Sequence, residues 1–585
     1  MNTQPNNEHG QDTALFILII TVGGLWILLG ALVYPATYFS SGQGPGIAFS
    51  DILSAIPKLP TTLKEPATAF PEPAASRIPG PYLYWGIHLT VFLLVCLLAA
   101  KTILWSANRG PGLDKRRRLD VNAQAAFATP RQMATERLKQ PTPGRFPYAR
   151  IGRHIIATQR HAISRNTRSV PGALALIGPS RSGKSHSAII GTQLWQGPAI
   201  ISSVKTDLIE PTLEARRAQG EVRVYDPSGM TAMQSASWSP LRDAKSLEGA
   251  QRSAKRLLSA VQLDQSGHGN FWSRHGETLL GGLMWLAANT KALTMTDVAR
   301  WVLAMDQPST EDPGKAASFL RALASDEGVS AELIADVEAI LGGIWRAEGR
   351  VSSSYYTSAR HAVMPWTRHE IRQISKTTTI DLDWLTSGNN TLYLAAPLMD
   401  QELLAPAFGG VIADLVDQVI LRHEHGGQAL ETELLLLLDE TANVPLVQLP
   451  NWASTVAGYG VQLVTVWQSK AQIDASYGPA ADTVIANHLT QLYFPGIRDL
   501  STIRYVTELL GTEHQPGYVN APSFVQPLGH DRDSATGVPL VPANVLRQLG
   551  QNDRLVITGN KPPAHAKALD DIPRSWRHHT RPVES

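Results

Sequence analysis

The sequence predicts an α/β fold. A parallel sheet is wound around a P-loop, an all-α insertion interrupts it, and two transmembrane helices precede it. Three observations predict this. Two long apolar runs lie near the N-terminus, a glycine-rich loop ending in Lys-Ser follows a short apolar strand, and five consecutive leucines end in two carboxylates. Of the 585 residues, 43% are hydrophobic and 17% charged, which excludes wholesale disorder. The 52 basic and 50 acidic residues leave a formal charge of +2, so global charge names no partner. A single cysteine, Cys96, excludes a disulfide framework and a cysteine zinc site.

The first apolar run, residues 14–34, carries no charge and meets the ~20 residues needed to cross a ~30 Å hydrocarbon core. A cleavable signal peptide would need a basic leading segment, yet residues 1–13 hold no Lys or Arg. The second run, residues 82–105, has Tyr82, Tyr84 and Trp85 at one end and Trp105 at the other, an interfacial aromatic belt. His88 and Lys101 interrupt it, with Lys101 near enough to the end to snorkel. Residues 35–81, rich in Pro, Ser and Gly, read as an extracytoplasmic loop. Arg109, Lys115, Arg116, Arg117 and Arg118 follow the second span, so the positive-inside rule places both termini in the cytoplasm. Residues 106–168 read as a basic neck. From Arg109 to Arg168, fourteen Lys and Arg face only Asp114, Asp120 and Glu136. Charge alone favours attraction to anionic lipid over a track for nucleic acid.

The nucleotide-binding domain is expected in two parts, residues 169–240 and 370–567. In the first, the strand Ala173–Ile177 runs into Gly178-Pro179-Ser180-Arg181-Ser182-Gly183-Lys184-Ser185 and then a helix-compatible run. The glycines let backbone N–H groups curl around phosphates at the positive end of the helix. Lys184 reaches the β- and γ-phosphates, and Ser185 holds Mg²⁺. In the second part, Leu434–Leu438 is bounded to strand length and ends in Asp439-Glu440. Asp439 is expected to hold Mg²⁺ through water and Glu440 to polarise the attacking water. Together these make an NTPase. Gln468, at the end of the strand Val461–Trp467, is placed to sense the γ-phosphate; taken alone it is an ordinary turn residue.

Further strands are expected at Ala199–Val204, Val222–Tyr225, Thr391–Ala395, Gln491–Phe494 and Leu555–Ile557. Strand signals vanish across residues 241–369, where Ser246–Val261, Phe271–Asn289, Met295–Met305, Ala316–Ser325 and Glu332–Leu341 read as helices. Gly267-His268-Gly269-Asn270 reads as a loop among them. Residues 568–585 form a C-terminal tail. His423, His425, His578 and His579 match no zinc spacing, and a metal reading is rejected.

Taken together, these blocks resemble the type IV coupling proteins, the TraG-type membrane ATPases of conjugation and type IV secretion within the FtsK/HerA-like motors. Besides the spans and the P-loop, the resemblance rests on Ser203-Val204-Lys205-Thr206-Asp207, Asp226-Pro227, Trp238-Ser239-Pro240-Leu241 and Phe271-Trp272. It continues through Leu438-Asp439-Glu440-Thr441-Ala442-Asn443, Gln468-Ser469, Tyr477-Gly478 and Arg504–Gly511. It implies a RecA-like motor domain in a ring of six at the bacterial inner membrane. ATP with Mg²⁺ would drive delivery of DNA, single-stranded or relaxase-bound, to a secretion channel. Relaxase, channel subunits and the lipid bilayer are the implied partners. A receptor for protein effectors and a chromosome-partition pump are the rival readings; intact Lys184, Ser185, Asp439 and Glu440 disfavour an inert scaffold.

Two positions depart from the family pattern. Ser203 stands where an acidic residue is common, and Ala457 replaces an arginine usually found three residues before the glycine at Gly460. Arg498, after the turn Pro495-Gly496, is the leading replacement finger. A chain without a finger of its own stands level with it, and Arg504, with a structural ion pair as its alternative, comes behind both.

Overall fold

The computed structural model describes residues 32–108, 117–118, 121–122, 125–162, 169–203, 206–260, 269–325, 328–395, 398–426, 430–443, 446–514 and 537–580. It forms two compact units, Met1–Ala123 and Gln124–Ser585.

In the first unit, the expected loop is a small helical fold. Helices Val33–Ser41, Phe49–Ala55 and Ala74–Arg77 alternate with 3₁₀ turns Ile56–Thr61 and Pro66–Ala69. Both 3₁₀ turns carry proline in the first turn, where its missing N–H costs nothing. Val33, Ala36, Ile52, Leu59, Phe70, Ile78 and Tyr84 bury a core of their own. The helix Pro81–Asn108 takes in the second apolar run; its 28 residues span about 42 Å at the standard rise. The first run, residues 14–34, lies outside the described residues except for its last three.

The second unit is built on a twelve-stranded sheet. In chain order its strands are β1 (Arg137–Leu138), β2 (Pro147–Ile151), β3 (His154–Ala157), β4 (Leu174–Ile177), β5 (Ala199–Ser203) and β6 (Val222–Tyr225). They continue as β7 (Thr391–Ala395), β8 (Leu434–Leu438), β9 (Val461–Trp467), β10 (Thr490–Tyr493), β11 (Asp553–Thr558) and β12 (Ala564–Lys567). The spatial order is β6-β7-β5-β8-β9-β4-β10-β11-β12-β2-β3-β1. The strands from β6 to β10 in that order run parallel; each pairing beyond β10 is antiparallel.

The parallel strands are continuous apolar runs because helices cover both faces. In β8, Leu434, Leu436 and Leu438 face one core with Phe408 and Val411 of the helix Gln401–Glu424. Leu435 and Leu437 face the other, with Ala188 of the helix Lys184–Leu194. The helix Gln401–Glu424 is long and apolar enough to cross a membrane, but 78% of its most apolar stretch is buried in protein. It is a core helix.

Two expectations need correction here. Leu555–Ile557, expected as a further strand of the doubly wound sheet, is a strand but pairs antiparallel with β10, and β12 continues the sheet beyond it as an antiparallel hairpin that needs no crossover. The basic neck, 106–168, is not a free charged stretch throughout, since residues 137–157 supply β1, β2 and β3. Several of its arginines are bound internally. Arg145 donates to the carbonyls of Thr158, Arg137 and Thr135, and Arg160 pairs with the buried Glu433.

Between β6 and β7 the described elements are helical. They include Leu247–Leu258, Gly269–Asn289, Met295–Ala304, Lys315–Leu323, Ala331–Trp345 and Gly349–Val363. Gly267 and His268 lie outside the described residues, and Gly269-Asn270, expected as loop, begin a helix. A buried charge cluster ties this insertion to the sheet domain. Arg256 pairs with Asp414 at 2.8 Å, Asp417 at 2.7 Å and Asp243 at 3.1 Å.

Candidate nucleotide-binding site

The loop after β4 is closed by its own lysine. Lys184 is buried, and its Nζ donates to the carbonyl oxygens of Gly178 at 2.6 Å and Pro179 at 2.8 Å. Burial holds its pKa below the ordinary lysine value, while Asp439 and Glu440 push it back up. The Gly178 N–H donates to the Trp467 carbonyl at the end of β9, and the Phe494 N–H to that of Ile177. A Cβ on Gly178 would stand 2.5 Å from that of Phe494, so only glycine fits. Gly183 turns with φ +97° into the helix Lys184–Leu194, a conformation that favours glycine. Ser182 Oγ is buried inside the loop without a hydrogen-bond partner. Ser180, Arg181 and Ser185 are exposed along it. A cradle this tight, with an orphaned hydroxyl and backbone N–H groups at a helix start, suits an oxyanion.

The sheet order places the other residues. β9 lies between β4 and β8, so Gln468 and Asp439 leave the same sheet end as the P-loop, one and two strands away. Ligands of open α/β sheets bind at that end. Asp439 is fixed by its N–H donating to the Ser202 carbonyl at 3.0 Å. Burial, reinforced by Glu440 and Asp207 and opposed by Lys184, pushes its carboxyl up to about 6. Glu440 adopts a left-handed backbone, φ +47°, a strain of about 1–2 kcal/mol for a residue with a Cβ. Asn443 donates to the Glu440 carboxylate at 2.7 Å and, through its N–H, to the Glu440 carbonyl at 2.8 Å.

Gln468 is exposed, with its N–H held by the Gln472 side chain at 2.9 Å. Arg498 is exposed in the turn beyond β10, whose Gly496 packs against Pro179. Arg504 is also exposed and makes no ion pair among the described residues. Lys470 is committed to Asp474 at 2.7 Å and Asp482 at 3.3 Å. His423 stands edge-on to Tyr459, and His425 binds its own helix through the Leu421 carbonyl. Sequence reasoning missed three neighbours: Asp207, Asn443 and Arg554. Asp207 and Asn443 sit inside blocks already singled out, whereas nothing local ties Arg554 to a loop so distant in sequence.

A glycine-rich loop closed by lysine, with a carboxylate pair two strands along a parallel sheet, defines the P-loop class of α/β proteins. Within that class, residues 153–569 match the family described as Type IV secretory system Conjugative DNA transfer, and the chain belongs to that family. The chain is similar in structure to the bacterial conjugative coupling protein TrwBdeltaN70 in its unbound monoclinic form. Identity is 17% and the TM-score 0.54, over 77% of this chain and 93% of that one. Plasmid coupling protein TrwB in complex with the non-hydrolysable GTP analogue GDPNP matches at 17% identity and TM-score 0.52, over 74% and 97%. TrwB in complex with ADP and Mg²⁺ matches at 17% and 0.51, over 68% and 86%. At this identity the likeness shows a shared fold. No curated protein matches the chain.

Proposed function

We propose that the chain is a membrane-anchored ATPase that couples ATP hydrolysis to transfer of DNA, or a relaxase–DNA complex, into a type IV secretion channel. The observation that carries the reading is the placement of the Lys184-closed loop and the Asp439-Glu440 pair at one end of the parallel sheet, two strands apart. Backbone N–H groups from Pro179 onward, except the proline itself, would hold the phosphates, with Lys184 on the β- and γ-phosphates. Ser185 and Asp439 would hold Mg²⁺, which supplies charge neutralisation at the phosphate oxygens when bound. Glu440 then orients and polarises the attacking water, and Gln468 reads the γ-phosphate from the strand between. TrwB has been solved with ADP and Mg²⁺ and with a non-hydrolysable GTP analogue, which supports a nucleotide role for this loop.

The spans at 14–34 and 82–105 would anchor a ring of six, with residues 35–81 outside and the bulk of the chain in the cytoplasm. The internal bonds of Arg145 and Arg160 favour a DNA track elsewhere than on residues 137–160. The test is ATP hydrolysis by the detergent-solubilised full chain, with and without single- and double-stranded DNA. Stimulation by DNA that fades steeply with salt is expected. Hydrolysis indifferent to DNA would instead support a receptor for protein effectors.

A further inference from the structure

Arg554 is the second residue of β11, at the sheet end that carries the P-loop, on the side of β4 away from Asp439 and Glu440. It is 3% exposed. Its guanidinium carbon lies 4.5 Å from the Phe494 ring centre, and its Nη1 donates to the carbonyls of Gln551 and Asp553, both at 2.7 Å. Its Nε is buried without a partner. A Cβ built on Gly183 would meet its Nη2 at 3.0 Å, so the guanidinium rests against the glycine that precedes Lys184.

Among the described residues, no carboxylate forms an ion pair with Arg554. Asp553, its neighbour in sequence, is engaged by His565 at 2.7 Å and Lys567 at 2.5 Å. Asp570 and Asp553 act on it through the field alone, without an ion pair. A buried cation with no directly paired carboxylate and an unpartnered Nε–H is costly. An arginine carries a planar fork that matches phosphate oxygens, a geometry lysine lacks. The stack on Phe494 and the two carbonyl bonds hold that fork in place before any ligand arrives.

We propose that Arg554 is a diphosphate-binding residue of this P-loop, holding the part of the nucleotide that remains after hydrolysis. The inference rests on the nucleotide reading above. It places the cation opposite the carboxylates, so Arg554 serves affinity for ADP and ATP alike and leaves the chemical step to Glu440.

The test uses the solubilised full chain and a fluorescent ADP analogue, displaced by unlabelled ADP or inorganic pyrophosphate. Wild type, Arg554→Met, Arg554→Lys and Lys184→Ala are compared, with thermal melting of each as the folding control. Arg554→Met is expected to lose ten-fold or more in ADP affinity. Arg554→Lys, which keeps charge and stem, should lose three- to ten-fold, with KM for ATP rising in step and kcat within two-fold. Pyrophosphate competition should weaken in parallel. If Arg554→Met does not fold, Arg554→Lys decides alone. Folded variants that bind ADP and pyrophosphate as wild type does would overturn the assignment, as would a loss confined to kcat. Failure of wild type itself to bind the analogue would instead overturn the nucleotide reading.

Discussion

The two flanks of β4 are built from opposite charges. Toward β9 and β8 stand an exposed amide, a buried carboxyl pushed up to about 6 and a glutamate in a left-handed turn. Toward β10 and β11 stand an aromatic ring and a buried guanidinium that forms no ion pair among the described residues. The carboxylate flank leaves strands that are parallel to β4, whereas Arg554 stands on β11, the first strand to run antiparallel. On the function proposed above, the difference would divide the labour: metal and water chemistry on one side, retention of the diphosphate on the other, with Lys184 between.

That division can be broken most severely at its centre. Lys184→Ala removes the cation shared by both flanks, and hydrolysis by the solubilised chain is expected to fall below detection. Residual turnover at a tenth of wild type would contradict the role given to Lys184. On the carboxylate flank, Glu440→Gln keeps an acceptor for Asn443 but loses the charge proposed to polarise water. Turnover should fall about 10²–10⁴-fold with nucleotide affinity kept, the range for loss of a general base.

Arg498 sharpens the comparison because it lies on the cation flank yet points its charge to solvent. If it serves a neighbouring subunit, doping rings with Arg498→Ala subunits that keep Lys184 makes activity fall faster than the mutant fraction. Activity proportional to the wild-type fraction removes Arg498 from that role.

The smallest expected effect concerns the strand between. His488 is buried, with Nδ1 at the Val484 carbonyl (2.7 Å) and Nε2 at the Thr465 hydroxyl of β9 (2.9 Å). Burial lowers its pKa to about 4 from an ordinary value of 6.5. The unfolded chain therefore binds the extra proton first. Its contribution is complete above pH 6.5 and is lost as pH falls toward 4, about 2 kcal/mol of it by pH 5. Urea melts at pH 7 and pH 5 should show a smaller pH difference for His488→Gln than for wild type. An identical difference in the two proteins would remove His488 from the account.

The legibility of the molecule follows the same divide. Leu434–Leu438 and Ala173–Ile177 announce themselves because a strand buried on both faces must be apolar at every position. Their polar ends, Asp439-Glu440 and Gly178–Ser185, are then visible as interruptions. The antiparallel strands hide. Pro147–Ile151 mixes Tyr148 and Ala149 with Arg150, so its charge reads as neck although Arg150 donates to the Ala568 carbonyl. Arg554 is hidden further, since only the long-range antiparallel pairing of β11 with β10 brings it to Gly183. In the first unit, the prolines of residues 56–69 suggest loop, yet they open the 3₁₀ turns of a packed core.

The claim that the flanks divide chemistry from retention is tested most directly by measuring ADP affinity and saturated turnover side by side in Glu440→Gln and Arg554→Lys. The account predicts a crossed result. Glu440→Gln should lose turnover and keep ADP affinity, while Arg554→Lys should lose ADP affinity and keep turnover at saturating ATP. Loss of the same quantity by both variants would contradict it.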